Sequence, residues 1–181
     1  GAEHIRTYTY PERKGTERQV RDAIHGLRAA APFAARAGVR ILVENHEDLS
    51  AAFVRRILVE TDHPSIGVLF DYGNSMIFME EPMTALTELA PWIMSAHMKE
   101  HAVLPAGSAG NRPIIVGVPL GDGSVPIVEL TRRLLETGVR RICFENCWGY
   151  ATKFRARRGD GVLGAGTFAY LAGPYDVRSC L

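Results

Sequence analysis

Short apolar strands alternate with helix-like stretches along this 181-residue chain, and several of the strands stop on a residue able to bind a hard or borderline metal. Arg40-Ile-Leu-Val-Glu44, Gly67-Val-Leu-Phe-Asp71, Met94-Ser-Ala-His97 and Ile142-Cys-Phe-Glu145 each end this way. Helix–strand alternation implies a parallel sheet with each crossover helix packed against it. In such sheets, open or closed, the carboxyl ends of the strands share one rim, where active sites lie. The pattern therefore restricts the chain to the α/β class and sends three carboxylates and one imidazole to a single rim.

Local signals place the elements. Thr16-Glu-Arg-Gln19 reads as a capping box, and Val20, Ile24, Leu27, Ala31 and Ala34 follow at helical spacing up to Gly38, a C′ glycine. Pro32 predicts a kink or break in that helix. A second helix is expected from Asp48 or Ser50 to the Asp62-His-Pro64 stop, a third over 83–90 and a fourth over 126–137. His4-Ile-Arg-Thr-Tyr8 reads as the end of one further strand. Residues 100–124, with five glycines and three prolines, read as a long loop able to cover the rim. The whole reads as one domain, 1–181, with 151–181 an irregular C-terminal extension.

Side chains alternate across a strand, so Glu44 shares a face with Leu42, Asp71 with Leu69, His97 with Ser95, and Glu145 with Cys143. The opposite face carries Ile41, Val43, Val68, Phe70, Met94, Ala96, Ile142 and Phe144, suited to helices. A lone strand-end carboxylate is ordinarily a cap or an ion pair. Four ligand-type residues on one face must instead be paired, hydrated or metal-bound. His46 and Lys99 share the parity of Glu44 and His97 and are candidate substrate-binding groups, as are Arg6 at the end of the first strand and Arg112 in the long loop. The segments Gly38–Asn45 and Gly138–Asn146 echo each other as helix stop, strand, glutamate and asparagine, implying two units with matched roles.

Charge and composition exclude other classes. Twenty-one basic and 20 acidic residues give a net charge of +1, so no general affinity for nucleic acid or anionic membrane is expected. No apolar run approaches the roughly 20 residues of a membrane span. Three cysteines without a CxxC pair read as reduced thiols, consistent with a cytoplasmic protein. The basic run Lys153, Arg155, Arg157 and Arg158 reads as a solvated face.

Val-Glu44-Asn-His, Leu-Phe-Asp71-Tyr-Gly-Asn, His97-Met-Lys-Glu, Leu120-Gly-Asp-Gly-Ser and Phe-Glu145-Asn-Cys-Trp-Gly together resemble the sugar phosphate isomerase/epimerase superfamily. This is the xylose isomerase-like (β/α)8 TIM-barrel group, with relatives that include ketose epimerases, inosose dehydratase and endonuclease IV. The resemblance covers about residues 1–150 and implies a partial barrel holding the last four to five βα units. It further implies that Glu44, Asp71, His97 and Glu145 bind a divalent metal ion (Mn2+, Mg2+ or Co2+, with Zn2+ compatible), and that Glu44 and Glu145 are the acid/base pair. The implied activity is isomerisation or epimerisation of a sugar, sugar phosphate or polyol through a metal-stabilised enediolate. Dehydration of a cyclic polyol or a dehydroshikimate-type compound is the alternative, and a non-catalytic barrel fragment the third reading. Ketose epimerases carry a histidine where this chain has Asn74 and an arginine where it has Val103, which points away from a tagatose-type substrate. The implied partner is a small sugar or polyol, and a homo-oligomer or a longer chain is expected to complete the barrel.

Overall fold

A computed structural model of the chain describes residues 1–9, 16–78, 80–104 and 114–153. Five strands form one parallel sheet in the order β1 (His4–Thr7), β2 (Arg40–Glu44), β3 (Ile66–Asp71), β4 (Ile93–Met98) and β7 (Ile142–Phe144). Four helices connect or follow them: α1 (Thr16–Arg36), α2 (Ala51–Thr61), α3 (Pro82–Leu89) and α4 (Ile127–Glu136). The expected partial-barrel sheet of parallel strands and crossover helices is therefore present.

The helices lie where the 3.6-residue spacing put them. Val20, Ile24, Leu27, Ala31 and Ala34 form the buried stripe of α1, which ends at Gly38 with φ of 65°, a left-handed turn that glycine takes without strain. Pro32 does not break the helix. It stands on the exposed side, where the carbonyl it leaves without a helical partner can bond to water. Ser50 caps α2 through its extended backbone alone, and the Glu80 carboxylate accepts from the first N–H of the helix, at Ala51, at 3.1 Å.

One sheet face builds the main core. Val43, Val68, Phe70 and Ala96 pack with Val20, Ile24, Ile57, Leu86, Leu89, Leu130 and Leu134 from the four helices. On the other face Leu42 and Leu69 are also buried, at 1% and 6% exposure. A barrel-type sheet coils and tilts its strands, so inward side chains crowd one another. Cys143, on edge strand β7, is exposed. Phe144 is exposed as well, at 64%, because β7 lies at the sheet edge.

The segment read as a long loop contains regular structure. β5 (His101–Leu104), β6 (Ile114–Gly117) and β8 (Ala151–Lys153) form a second, antiparallel sheet in the order β5-β6-β8, with Ala102, Val116 and Val118 as its own small core. Residues 151–153 are thus a strand rather than irregular chain. Arg112 and the rest of the basic run, Arg155 to Arg158, lie outside the described residues. No helix among the described residues is long and apolar enough to cross a membrane.

Candidate metal centre

Register brings the strand ends together. Asp71 pairs with His97 across β3 and β4, His97 with Cys143 across β4 and β7, and the Glu145 N–H extends the ladder by donating to the Met98 carbonyl at 2.9 Å. Glu44, Asp71 and His97 each present a ligand atom, and these atoms lie within 4.8 Å of one another. His97 Nδ1 is 3.5 Å from Glu44 Oε1 and 3.8 Å from Glu145 Oε2. All four strand-end residues therefore face one region, with Glu145 the most exposed of them.

The positions are braced from behind. The Asn45 side chain accepts from the Asp71 N–H at 2.6 Å and donates to the Asp71 carbonyl at 3.0 Å, fixing the end of β3. Asp71 Oδ1 accepts from the N–H groups of Gly73 and Asn74, both at 2.9 Å, which turns Oδ2 to the rim. The partner residue in the echo does something else: Asn146 Oδ1 accepts from the Trp148 N–H within its own turn. The two glutamates share the rim, but the two asparagines have different work.

Two cations enter the cluster. Arg6 binds Glu44 at 2.6 Å. Lys99 Nζ lies 2.9 Å from Asp71 Oδ2 and 2.8 Å from Glu145 Oε2. Burial pushes the Glu44 and Glu145 carboxyls up, yet neighbouring positive and hydrogen-bonding groups outweigh it and hold both below the usual range: His97 and Arg6 at Glu44, Lys99 above all at Glu145. Complete burial lifts Asp71 to about 6, against the pull of Lys99. Burial opposes the charge of Lys99 too, but Asp71 and Glu145 outweigh it and raise its pKa, so it stays an ammonium.

The donor set suits a divalent ion. Glu44 Oε1 and His97 Nδ1 are buried without a hydrogen-bond partner, a state that costs free energy unless a ligand satisfies it, while Asp71 Oδ2 is met by the Lys99 ammonium. Carboxylate oxygens with one imidazole match Mg2+, Mn2+ or Co2+, and also Zn2+.

His46 stands apart from these atoms. It stacks on Tyr8 with centroids 4.4 Å apart, and its Nδ1 is 3.9 Å from Asp48. Arg6 lies over the same Tyr8 ring, so this group forms one shoulder of the rim. Lys99, His101 at the start of β5, Glu47 after β2, and Glu145, Trp148 and Tyr150 in the turn after β7 line a cavity of about 340 Å³. Tyr150 hydrogen-bonds Glu47 across it. A larger cavity of about 510 Å³ lies beside β1 and α1, lined by Ile5, Leu27, Ile41 and neighbours that include Arg6. His101 was not recognisable as a rim residue from sequence, since its placement depends on β5. The one available signal was the short apolar run Ala102-Val-Leu104 that follows it.

Comparison with known proteins agrees with this architecture. Protein YihM of Escherichia coli (strain K12), itself uncharacterised, is 29% identical over 102 residues, covering 56% of this chain and 30% of YihM. A Mycobacterium smegmatis xylose isomerase-like TIM-barrel protein solved with magnesium superposes with a TM-score of 0.66 at 19% identity, over 80% of this chain and 55% of that one. The probable 3-DHS dehydratase AsbF of Bacillus anthracis gives 0.63 at 19% identity, over 78% and 56%. The chain thus spans about half the length of these solved relatives and less than a third of YihM. The xylose isomerase-like TIM-barrel family model matches residues 1–161, and the chain belongs to that family.

Proposed function

We propose that Glu44, Asp71, His97 and Glu145 hold one divalent cation, and that this rim isomerises or epimerises a hydroxy-carbonyl sugar or polyol by proton transfer. The observation that carries the reading is the convergence of one ligand atom each from Glu44, Asp71 and His97 within 4.8 Å, with Glu44 Oε1 and His97 Nδ1 buried and without a hydrogen-bond partner. When bound, the cation supplies Lewis-acid polarisation of a carbonyl.

The chain's own groups do the rest. Glu44 and Glu145 stand on strands separated by β3 and β4, so they can flank a substrate from two sides. Held ionised, one can take the proton α to the carbonyl; the proton is returned either by that same glutamate, now a carboxylic acid, or by the other after it has taken a proton from solvent. Return to the same carbon is epimerisation, and return to its neighbour is isomerisation. Lys99, between Asp71 and Glu145, can bind a developing oxyanion. Its ammonium also favours a second reading, dehydration, in which it protonates a departing hydroxyl.

Mn2+ titration followed by turnover in D2O tests the proposal. Deuterium entering one carbon without loss of water supports isomerase or epimerase chemistry, and a new double bond supports the dehydratase. Turnover at the wild-type rate in Glu44→Gln or Glu145→Gln would rule out the two-glutamate assignment.

A further inference from the structure

Glu145 is the least secured of the four proposed ligands. Its side chain is 36% exposed, while those of Glu44 and Asp71 are fully buried and that of His97 is 16% exposed. The strand that delivers it, β7, is three residues long and pairs with β4 alone at the edge of the sheet. A short edge strand with few buried contacts opens easily, yet a ligand must be held to about 0.5 Å to be of use.

The turn after β7 supplies further support. The Tyr150 N–H donates to the Cys147 carbonyl at 3.0 Å, and the Gly117 N–H donates to the Tyr150 carbonyl at 2.8 Å, tying the turn to β6. The Tyr150 ring stacks on His101 with centroids 6.0 Å apart and planes 21° from parallel. Its hydroxyl then donates to the Glu47 carboxylate, 103 positions away in sequence.

That last bond joins two particular places. Glu47 follows Glu44 at the end of β2, and Tyr150 follows Glu145 at the end of β7. The hydrogen bond therefore links the chain just beyond the first ligand to the chain just beyond the last, across the ends of β3 and β4. The β2 side is itself anchored, because Asp48, next to Glu47, accepts from Gln19 of α1 at 2.9 Å. A phenol bound to a carboxylate is a charge-assisted bond, stronger than a neutral one.

We propose that the Glu47–Tyr150 bond is a positioning clasp: it holds the turn after β7 against the end of β2 and so fixes Glu145 relative to Glu44. Neither residue is a ligand or a catalytic residue; both act through Glu145. The inference rests on the reading of Glu145 as a metal ligand.

Mn2+ is titrated calorimetrically into the wild-type protein, Tyr150→Phe, Glu47→Ala, Glu47→Gln and the double variant Tyr150→Phe/Glu47→Ala. Hydrogen–deuterium exchange of residues 142–150 is followed in each without metal. Tyr150→Phe removes one oxygen and keeps the ring that stacks on His101. It and Glu47→Ala should each weaken Mn2+ binding about tenfold, and exchange over 142–150 should quicken by about the same factor. The double variant should be no weaker than either single one, since both remove the same bond. Glu47→Gln keeps an acceptor for the hydroxyl and should recover most of the loss, which a general loss of stability would not do. Wild-type Mn2+ affinity in Tyr150→Phe, losses that multiply in the double variant, or no recovery in Glu47→Gln each overturns the inference. Failure of the metal reading shows separately, as absent Mn2+ binding by the wild-type protein. The exchange rates then still decide the clasp: faster exchange in both single variants upholds it, and unchanged exchange overturns it.

Discussion

Replacing Gly117 by alanine probes the junction that builds the cavity wall. Gly117 ends β6, and its N–H donates to the Tyr150 carbonyl at 2.8 Å. A Cβ there would stand 2.6 Å from the Cys147 carbonyl carbon and 2.9 Å from its Sγ, and closer still to the carbonyl oxygen. The obstacle is mostly backbone, so no rotamer change relieves it. The Cys147 carbonyl must retreat by about 1.5 Å to reach ordinary contact distance. That retreat strains the Gly117–Tyr150 bond and the 3.3 Å bond from Cys147 Sγ to the Glu100 carbonyl, each worth about 1 kcal/mol. Overpacking adds about 1–3 kcal/mol. Urea denaturation followed by circular dichroism should therefore show Gly117→Ala destabilised by about 2–4 kcal/mol. A variant within about 0.5 kcal/mol of wild type would mean that residues 145–150 do not pack against β6 as described.

Two further outcomes follow from the charges around the rim. Burial raises the Glu100 carboxyl to about 7 although it accepts from the N–H groups of His101 and Val125. The folded protein then keeps a proton that the unfolded chain releases between pH 4.5 and 7, so this group's contribution to stability falls as pH rises through that window. The ceiling is about 3 kcal/mol, reduced to about 1–2 kcal/mol by residual solvent screening. Glu100→Gln should gain on wild type by that amount between pH 5 and pH 8 in denaturant melts, and parallel curves would refute the assignment. Lys99→Ala leaves buried Asp71 without its cation, which should lower stability by about 3 kcal/mol and turnover less than either glutamate substitution does. Mn2+ should restore more of the melting temperature in the variant than in wild type, and a melting temperature equal to wild type without metal would refute the pairing.

The strand ends were legible because their signals are local. A two-residue period tells which face a side chain takes, and a polar residue closing an apolar run marks the rim. Glu44, Asp71 and His97 needed nothing else to be grouped. The helices were legible for the same reason, with Gly38 and the Val20–Ala34 stripe acting over a few residues. Of the kink or break that Pro32 predicted, the break is absent, because the exposed carbonyl it frees has water to bond.

What stayed hidden depends on pairing between distant residues. His101 and Val103 read as loop because β5 becomes a strand only beside β6, and β6 only beside β5 and β8. The hydrogen bond from Arg6 to Glu44 spans 38 positions, and that from Lys99 to Glu145 spans 46, separations at which sequence pattern is silent. Leu42 and Leu69 are buried by the coiling of the sheet rather than by their own periodicity. The sequence by itself determined the fold class, the face and the ligand types, since these follow from propensity and periodicity along one strand at a time. Only the tertiary structure decided which cation neutralises which carboxylate and that His101 lines the cavity beside Lys99 and Glu145, because those contacts exist only after separate strands are laid in register.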